Sequence, residues 1–508
     1  MSHTWTWAVL TTLGLSLASP EPNGVAGRVE PNPNDLDTAA IDRYVAARMS
    51  ATHMPGLALA IVKGDDVVYL KGYGRADPSG RPVAPQTPFI IGSITKPFTA
   101  LGIMQLVEAD KVDLDAPVQR YLPWFRVADP TASKLITVRQ LLHQTSGISQ
   151  ASTLETWNWS NDDDAMERHV RLLAHAPLLG PPGKTFAYAN ANYTTLGVII
   201  QAVSGESYEN YIRQHIFAPL DMRHSYLSPE EAEQHGLAAG HRWLFGFPVA
   251  VSLPSSRANL PAGFIISGAE DMAHFVIAQM NGGRYLGRSI LSPAGIALTH
   301  LQPAPNTYAM GWETTVLDGH VLVNHDGGTA NYQASLFFDP AARVGVFIAA
   351  NAISMWDAFS SPPGSSPLDG STVRAMAETV LNIATHRPFP DQGIRLERLN
   401  LIVYLLVAAV TVALMVSVAR IPPRYRQLAA GGLQSESSFV RRVGLTAVLH
   451  FVWPLALLIV ALTASYWVLI VMFQPDIVYW AAAVAVVVFL KGALEVTMAW
   501  RVRGAGRR

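Results

Sequence analysis

The sequence predicts an α+β domain followed by three transmembrane helices. Short strand patterns occur at both ends of residues 38–388 with helix patterns between them, which is typical of an α+β domain whose termini share one sheet. Three long apolar runs follow this domain. The mean hydropathy of +0.21 is high for a wholly soluble chain of 508 residues, and it agrees with a membrane region.

The composition excludes several classes of protein. Lys and Arg number 37 against 38 Asp and Glu, so the net charge of -1 excludes a strongly basic nucleic-acid binder and a polyacidic tail. The chain contains no Cys, which removes disulfides, thiol nucleophiles, zinc fingers and iron–sulfur sites. Export remains open, because a chain without thiols needs no oxidative folding.

The three apolar runs have the length of membrane spans. Residues 401–419 and 443–473 are uncharged, and residues 477–500 are interrupted only by Lys491 and Glu495. Runs of about 20 apolar residues cross the hydrocarbon core of a bilayer as helices. A buried core helix is the alternative for any one run, but three such runs together favour spans.

Arginines set the expected orientation. Positively charged loops stay in the cytoplasm. The turn at 474–476 has no basic residue, whereas the loop between the first two runs and the tail after the third are basic. These arginines are Arg420, Arg424, Arg426, Arg441 and Arg442 in the loop, and Arg501, Arg503, Arg507 and Arg508 in the tail. The domain before residue 401 is therefore expected outside, although Arg395 and Arg398 depart from the rule.

The N-terminus agrees with export. Residues 8–18 form an apolar stretch of signal-peptide length and end in Ser16-Leu17-Ala18, although no Lys or Arg precedes them. The segment is either a cleaved signal peptide or a retained anchor. The expected organisation is a signal peptide or anchor at 1–20, a linker at 21–37, the exported domain at 38–388, a juxtamembrane linker at 389–400, three transmembrane helices at 401–503 and a cytoplasmic tail at 504–508.

Within the exported domain, periodicity predicts two hairpins and several helices. The strands are expected at 57–62 and 67–72, and at 334–338 and 344–349. The helices are expected at 93–109, at 165–175 after a run of acidic residues, and at 371–385, where one closes the domain.

Ser93 and Lys96 form an S-x-x-K motif. On a helix, residues three apart share a face, so the hydroxyl and the amine are neighbours. A serine is a poor nucleophile until a base takes its proton, and a buried lysine with a lowered pKa can do so. The motif alone is weak, because a helix N-cap followed by a solvated lysine has the same pattern. Apolar residues at 89–92 and 97–100 favour the buried lysine.

The segment 89–100 resembles the nucleophile region of the serine β-lactamase and penicillin-binding-protein superfamily. The closest branch contains class C β-lactamases, DD-peptidases, D-aminopeptidases and related esterases. Four further motifs of that branch follow in order. They are residues 137–147; Tyr188-Ala189-Asn190; Pro261-Ala262-Gly263 with Ser267 and Asp271-Met272; and Met310-Gly311-Trp312 before His325-Asp326-Gly327-Gly328. The resemblance covers about 42–385 and implies a β-lactamase/transpeptidase-like fold, an antiparallel sheet flanked by helices plus a helical subdomain.

The resemblance implies a role for each motif. Ser93 is the acylated nucleophile, and Lys96 and Tyr188 share proton transfer, with the choice of general base left open. The backbone N–H groups of Ser93 and Gly328 form the oxyanion hole. The implied substrate-binding residues are Asn190, His325, Asp326, Gly327 and Asn331. We expect no metal and no cofactor.

One departure from the family pattern bears on substrate charge. Relatives that bind an anionic substrate terminus usually have Lys-Thr-Gly where this chain has His325, Asp326 and Gly327. If Asp326 faces the cleft, it repels a carboxylate by roughly 4 kcal/mol at about 4 Å and an effective dielectric near 20. That disfavours a β-lactamase or carboxypeptidase. The alternative is that Asp326 faces solvent or pairs with an arginine.

The domain order resembles membrane-bound peptidases that mature N-acyl-D-asparagine prodrugs, and Asn331, where the wider family more often has glycine, fits that subgroup. The expected function is a membrane-anchored, extracytoplasmic serine hydrolase of amide or ester bonds, acting on D-amino-acid-containing or N-acyl substrates. The alternatives are a β-lactamase or DD-carboxypeptidase, an esterase, or a non-catalytic penicillin-binding-type receptor. The expected partners are a small-molecule or peptide substrate and the lipid bilayer, with no nucleic acid. The expected location is the cell membrane, crossed several times.

Overall fold

The computed structural model describes residues 36–155, 159–245, 247–303, 308–317, 319–353, 371–388, 395–431, 436–452 and 475–505. The expected signal peptide or anchor at 1–20 lies outside the described residues, as does nearly all of the linker at 21–37. The domain boundaries proposed from the sequence therefore remain predictions at the N-terminal end.

Six strands form one antiparallel sheet with the order β10-β11-β12-β13-β1-β2. The strands of the described chain are β1 (Gly56–Lys63), β2 (Asp66–Gly74), β3 (Phe89–Ile90), β4 (Ser225–Tyr226), β5 (His241–Leu244), β6 (Phe247–Ala250), β7 (Ile266–Ser267), β8 (Arg284–Tyr285), β9 (Arg288–Ser289), β10 (Glu313–Leu317), β11 (His320–Gly328), β12 (Gln333–Asp339) and β13 (Val344–Ala350). Leu57 of β1 pairs with Ala350 of β13, so the two ends of the domain share the sheet as predicted.

Helices cover both faces of this sheet. The described helices are α1 (Thr38–Thr52), α2 (Thr95–Glu108), α3 (Pro130–Leu135), α4 (Val138–Leu142), α5 (Gln150–Glu155), α6 (Ala165–Leu172), α7 (Asn190–Ser204), α8 (Tyr208–Ile212), α9 (Pro229–Gln234), α10 (Leu260–Gly263), α11 (Ala269–Met280), α12 (Pro293–His300), α13 (Thr372–Ala384), α14 (Arg395–Ala419), α15 (Ile421–Gly431), α16 (Glu436–Ala447) and α17 (Pro475–Ala505). The α+β class and both predicted hairpins are thereby confirmed.

Strand β1 shows how one sheet supports two cores. Its residues are apolar almost without interruption, because side chains alternate between two buried faces. Ala58 and Ala60 face the larger core, which α2, α7 and α11 complete. Leu57 and Leu59 face the smaller core under α1 and α13. The larger core carries the helical region on which the site is built.

Helix α2 is the central helix of the larger core. A short 3-10 turn at Gly92–Ile94 precedes it, and its first ten residues are all buried. Phe98 stacks on Phe275 of α11 with ring centroids 4.0 Å apart. The predicted helix at 93–109 is therefore correct, and its first turn lies fixed between the sheet and the helical region.

Two helices among the described residues are long and apolar enough to cross a membrane by length and composition, at Tyr404–Arg424 and Asp476–Arg503. They coincide with the first and third predicted spans. The second predicted span, 443–473, lies outside the described residues from 453 onward, so the structure contains two of the three expected helices. Lys491 and Glu495 pair with each other at 3.4 Å on α17.

Helices α14 and α17 run in the same direction. The hydroxyl of Tyr404 donates to Asp476 Oδ2 at 2.9 Å, and seven residues further along α14 Thr411 Oγ1 accepts from Trp480 Nε1 at 2.9 Å. Asp476 lies in the first turn of α17. The starts of both apolar segments therefore lie side by side.

Candidate active site

Ser93 lies in the 3-10 turn that opens α2, and Lys96 follows one turn later. The Lys96 amine lies 2.9 Å from Ser93 Oγ. It also lies 2.8 Å from Asn190 Oδ1 and 2.6 Å from the carbonyl oxygen of Ala262. The predicted neighbours Ser93 and Lys96 are therefore in hydrogen-bond contact.

Lys96 is fully buried, and burial lowers its pKa well below the ordinary value of a lysine. Burial outweighs the smaller, opposite effect of the Glu313 carboxylate. A neutral lysine has two N–H donors and one lone pair. The oxygens of Asn190 and Ala262 can only accept, so they take both N–H groups and leave the lone pair facing the Ser93 hydroxyl.

Tyr188 approaches the nucleophile from the other side. Its hydroxyl donates to Ser93 Oγ at 2.9 Å, and its ring lies 4.8 Å from the Lys96 nitrogen. Burial raises the pKa of Tyr188 far above its ordinary value, so the phenol stays protonated at neutral pH. Of the two candidate bases, this environment favours Lys96.

Asn190 is the first residue of α7, and two glutamines hold the turn that leads to it. Gln150 Oε1 accepts from the backbone N–H of Asn190 at 3.0 Å, and Gln144 Oε1 accepts from that of Ala189 at 3.1 Å. Gln144 has a positive φ of 58°. These contacts set the direction of the Tyr188 and Asn190 side chains.

Strand β11 brings its backbone against the turn of the nucleophile. Gly92 has a φ of +57°, and a Cβ there would lie 2.3 Å from the Gly328 nitrogen. A Cβ on Gly327 would lie 1.9 Å from the Ile91 carbonyl oxygen and 3.0 Å from the Ser93 nitrogen. Two glycines thus allow the contact that places Gly328 beside Ser93, as an oxyanion hole formed by both residues requires.

His325 is buried and neutral. Its Nδ1 donates to the carbonyl oxygen of Asp326 at 2.6 Å, since a carbonyl can only accept. Its Nε2 then accepts from the Tyr308 hydroxyl at 3.1 Å. Burial and the nearby Lys96 lower the pKa of His325 to about 3. This side chain carries no positive charge at neutral pH.

Asp326 does not face the cleft, and the expectation that it contacts substrate is wrong. Successive side chains of a strand alternate between faces, so Asp326 points away from His325. Arg374 Nη1 of α13 donates to Asp326 Oδ2 at 2.5 Å, and Ser335 Oγ donates to Oδ1 at 2.5 Å. The alternative stated above, a carboxylate paired with an arginine, is what the structure contains.

Asn331 lies in the turn after β11, beyond the glycines. Its Nδ2 donates to the carbonyl oxygen of Val251 at 3.0 Å, and its Oδ1 accepts from Thr329 at 3.3 Å. These contacts join the turn after β11 to the end of β6, since Val251 directly follows that strand. The other predicted residues, Ser93, Lys96, Tyr188 and Asn190, form one connected group with β11 alongside.

Four residues that shape the site were not predicted from the sequence: Tyr308, Gln144, Gln150 and Arg374. Tyr308 lies two residues before the Met310-Gly311-Trp312 motif, and its ring lies edge-on to Tyr188 with centroids 6.0 Å apart. Arg374 is a charge on the buried face of the closing helix. A charge on that face requires a partner, so an arginine among the apolar residues of the closing helix could have indicated a buried ion pair from the sequence.

Within the described part of the chain, no group of three or more His, Asp and Glu side chains could hold a metal ion. The polar groups around Ser93 are instead a hydroxyl, an amine, a phenol and an amide. Such a set provides a nucleophile and proton-transfer groups for acyl transfer.

Residues 41–357 match the family model described as Beta-lactamase, which is well over half of the 508 residues. The chain belongs to this family. Among its relatives, Protein flp of Staphylococcus aureus (strain MW2) is 31% identical over 61% of this chain and 62% of that protein. Penicillin-binding protein 4 of Amycolatopsis lactamdurans is 31% identical over 60% of this chain and 82% of that protein.

A solved structure agrees with the family. The octameric penicillin-binding protein homologue from Pyrococcus abyssi is 27% identical and aligns with a TM-score of 0.59. The alignment covers 71% of this chain and 79% of that chain. The predicted superfamily and its β-lactamase-like fold are therefore confirmed. The chain matches less than two thirds of the length of Protein flp.

Substitution of Gly327 by Ala should disrupt the site through backbone displacement. Its Cβ would meet the Ile91 carbonyl oxygen, so β11 must move away from Ser93. Because a shift of about 1 Å in an active site can cost about 100-fold in rate, we expect about that loss in the rate at which a fluorophosphonate phosphonylates Ser93 with release of fluoride. The control is Gly180→Ala, where the nearest atom, Thr185 Oγ1, is 3.8 Å from the new Cβ. Equal rates for both variants would contradict the close approach.

Substitution of Arg374 by Met should destabilise the domain, because it leaves the Asp326 carboxylate buried without its cation. Breaking a buried pair costs about 3–5 kcal/mol, whereas an exposed pair contributes about 0–1 kcal/mol. Arg343→Met, which removes an exposed pair with Asp65, is the matched control. Denaturant unfolding followed by tryptophan fluorescence measures both. A fall no larger than the control's would show that Asp326 is not held by Arg374.

Proposed function

We propose that this chain is a membrane-anchored serine hydrolase that cleaves amide or ester bonds through an acyl-enzyme on Ser93. The observation that carries the proposal is the buried amine of Lys96, which lies 2.9 Å from Ser93 Oγ and donates hydrogen bonds to the oxygens of Asn190 and Ala262. This is the geometry of a base poised on a nucleophile.

In the proposed mechanism, Lys96 takes the Ser93 proton as Oγ attacks the substrate carbonyl carbon. The negative charge that develops on the carbonyl oxygen is stabilised by the backbone N–H groups of Ser93 and Gly328. When the scissile bond breaks, Tyr188 donates its proton to the leaving group and recovers one from the Lys96 ammonium. Water then attacks the acyl-enzyme with Lys96 again as base, which regenerates the Ser93 hydroxyl.

The charge of β11 supports a substrate that is neutral near the scissile bond. Relatives that bind an anionic substrate terminus usually place a Lys or a hydroxyl in this strand, whereas this chain has His325, whose pKa burial lowers to about 3, in place of that Lys. Asp326 lies on the other face with Arg374, so it contributes no repulsion. The absence of a cation at position 325, rather than repulsion by Asp326, is what disfavours a substrate carboxylate. This favours an amidase or peptidase of N-acyl or D-amino-acid-containing substrates over a carboxypeptidase.

The helices support a membrane anchor with three spans. Helices α14 and α17 run parallel with their starts adjacent, so a chain that crosses the bilayer in both helices crosses it once more between them, and the apolar run at 443–473 is the proposed span. The basic residues after 419 and after 500 favour those ends in the cytoplasm. The catalytic domain would then lie outside the cell membrane.

The pH dependence of acylation should follow Lys96. Because the base must be neutral, the rate should rise as pH increases through the lowered pKa and level off well below pH 10.5. Lys96→Arg stays protonated and should lose about 100- to 10,000-fold, and Ser93→Ala should lose all turnover. The control is Lys184→Arg, at an exposed lysine. An unchanged rate in Lys96→Arg would remove Lys96 as the base.

Because His325 is neutral, the enzyme should prefer a substrate without a carboxylate on the leaving group. Two amide substrates that differ only by a carboxylate or a primary amide on the leaving group test this, with kcat/KM as the readout. Since a hydrogen bond to a charged group contributes about 1.5–3 kcal/mol, we expect the amide to be preferred and His325→Lys to narrow the preference by about tenfold. His325→Gln, which is neutral, is the control. A wild type that prefers the carboxylate supports a β-lactamase or carboxypeptidase instead.

Topology can be read from reporter fusions. A reporter active only in the cytoplasm should be active after Arg508 and silent at Pro388, because the expected number of spans between these sites is odd. The reporter signal in intact cells, normalised to protein level, is the measurement. Activity at both sites, or at neither, would contradict three spans.

A further inference from the structure

The hairpin formed by β5 and β6 presents apolar side chains to the outside of the catalytic domain. Phe245 at its turn is 51% exposed, and Phe247 and Val249 on β6 are 71% and 40% exposed. Phe247 and Val249 are two apart on one strand, so they share a face. Exposed apolar side chains that share one hairpin are candidates for an interaction surface.

The tip of this hairpin meets the starts of the two candidate spans. The backbone N–H of Phe245 donates to Asp476 Oδ2 at 2.9 Å, and the Tyr404 hydroxyl donates to the same oxygen at 2.9 Å. The rings of Phe245 and Tyr404 lie 6.3 Å apart. Asp476 of α17 thus accepts from the hairpin and from α14, and it fixes the level of the tip along the two helices.

That level is rich in aromatic residues. Tyr404 on α14 and Tyr479 and Trp480 on α17 lie within the first turns of the apolar segments, and Tyr479 is 67% exposed. Tyrosine and tryptophan concentrate where a span meets the headgroup region of a bilayer. Phe245 and Phe247 extend the same aromatic level onto the catalytic domain.

The base of the hairpin is hydrogen-bonded to the end of β13 and to the turn after β11, the strand that lies beside Ser93. The backbone N–H of His241 donates to the Asn351 carbonyl at 2.8 Å, next to β13. Asn331, in the turn after β11, donates to the carbonyl of Val251 at 3.0 Å, just after β6. The hairpin is therefore bonded both to the membrane helices and to the loop that follows His325 and Gly327.

We propose that the β5–β6 hairpin inserts Phe245, Phe247 and Val249 into the outer interfacial layer of the bilayer that holds α14 and α17. In this position it sets the height and tilt of the catalytic domain above the membrane. The partner is the lipid surface itself, because the neighbouring residues are the outer ends of candidate spans. This inference rests on the proposed membrane anchor.

The chain has no cysteine, so one introduced cysteine is a unique labelling site. Full-length Phe247→Cys, labelled with a nitrobenzoxadiazole maleimide, is placed in phosphatidylcholine vesicles that contain nitroxide lipids. Leu286→Cys is the exposed control on the β8–β9 turn, where Leu286 is 78% exposed. Val412→Cys on α14 reports on the anchor. Fluorophosphonate labelling of Ser93 checks that each variant is folded, and Val249→Cys replaces Phe247→Cys if it fails this check.

We expect about twofold or more stronger quenching of the label at position 247 than at position 286. Nitroxides near the headgroups should quench the label at 247 more than nitroxides deep in the acyl chains, because the label should lie at a depth of about 5–10 Å. Strong quenching at 412 together with quenching at 247 equal to that at 286 would overturn the hairpin proposal and leave the anchor standing. No quenching at 412 would overturn the anchor. If 247 were also unquenched, the hairpin proposal would fall with it.

Discussion

The burial of the Lys96 amine is the constraint on which the site depends. A buried amine is costly unless its N–H groups are hydrogen-bonded, so the protein surrounds this nitrogen with acceptors of fixed direction. Asn190 and Ala262 come from α7 and α10, and the amine itself comes from α2. Three helices must therefore meet at one point. Their apolar faces form the larger core, and that core keeps the meeting point dry.

The second constraint is the contact between the nucleophile turn and β11. Hydrogen-bond donors aimed at a developing oxyanion must be in place before the reaction. The absence of a Cβ at Gly92 and Gly327 lets two backbones approach closely enough for this. The strand is held on its other face by the buried pair of Asp326 and Arg374. The position of β11 beside Ser93 on one face of the sheet thus depends on the ion pair of Asp326 and Arg374 on the other face.

Much of this could be predicted from local sequence. The hairpins, helix α2 and the neighbouring Ser93 and Lys96 follow from periodicity and from the spacing of three on a helix, which are local properties. The direction of Asp326 was open, because its partner Arg374 lies 48 residues away in sequence. The same holds for Gln144 and Gln150, whose importance comes from backbone groups that only the folded chain brings near.

The membrane region shows the same division. Length and composition suffice to predict the two long apolar helices, α14 and α17. The contact between their N-terminal ends at Asp476 also involves the β5–β6 hairpin, which no apolar run predicts. If the hairpin lies in the interface, the catalytic domain has a fixed orientation rather than a flexible tether.

In the proposed reaction Ser93 is the group that becomes acylated, and mass spectrometry of a covalent adduct identifies the reactive serine. The full chain, purified in detergent, is incubated with a fluorophosphonate, and the intact mass and the modified peptide are determined. We expect one adduct per chain, on the peptide that contains Ser93. An adduct on another serine, or an unmodified chain that still hydrolyses its substrate in the presence of the reagent, would contradict it.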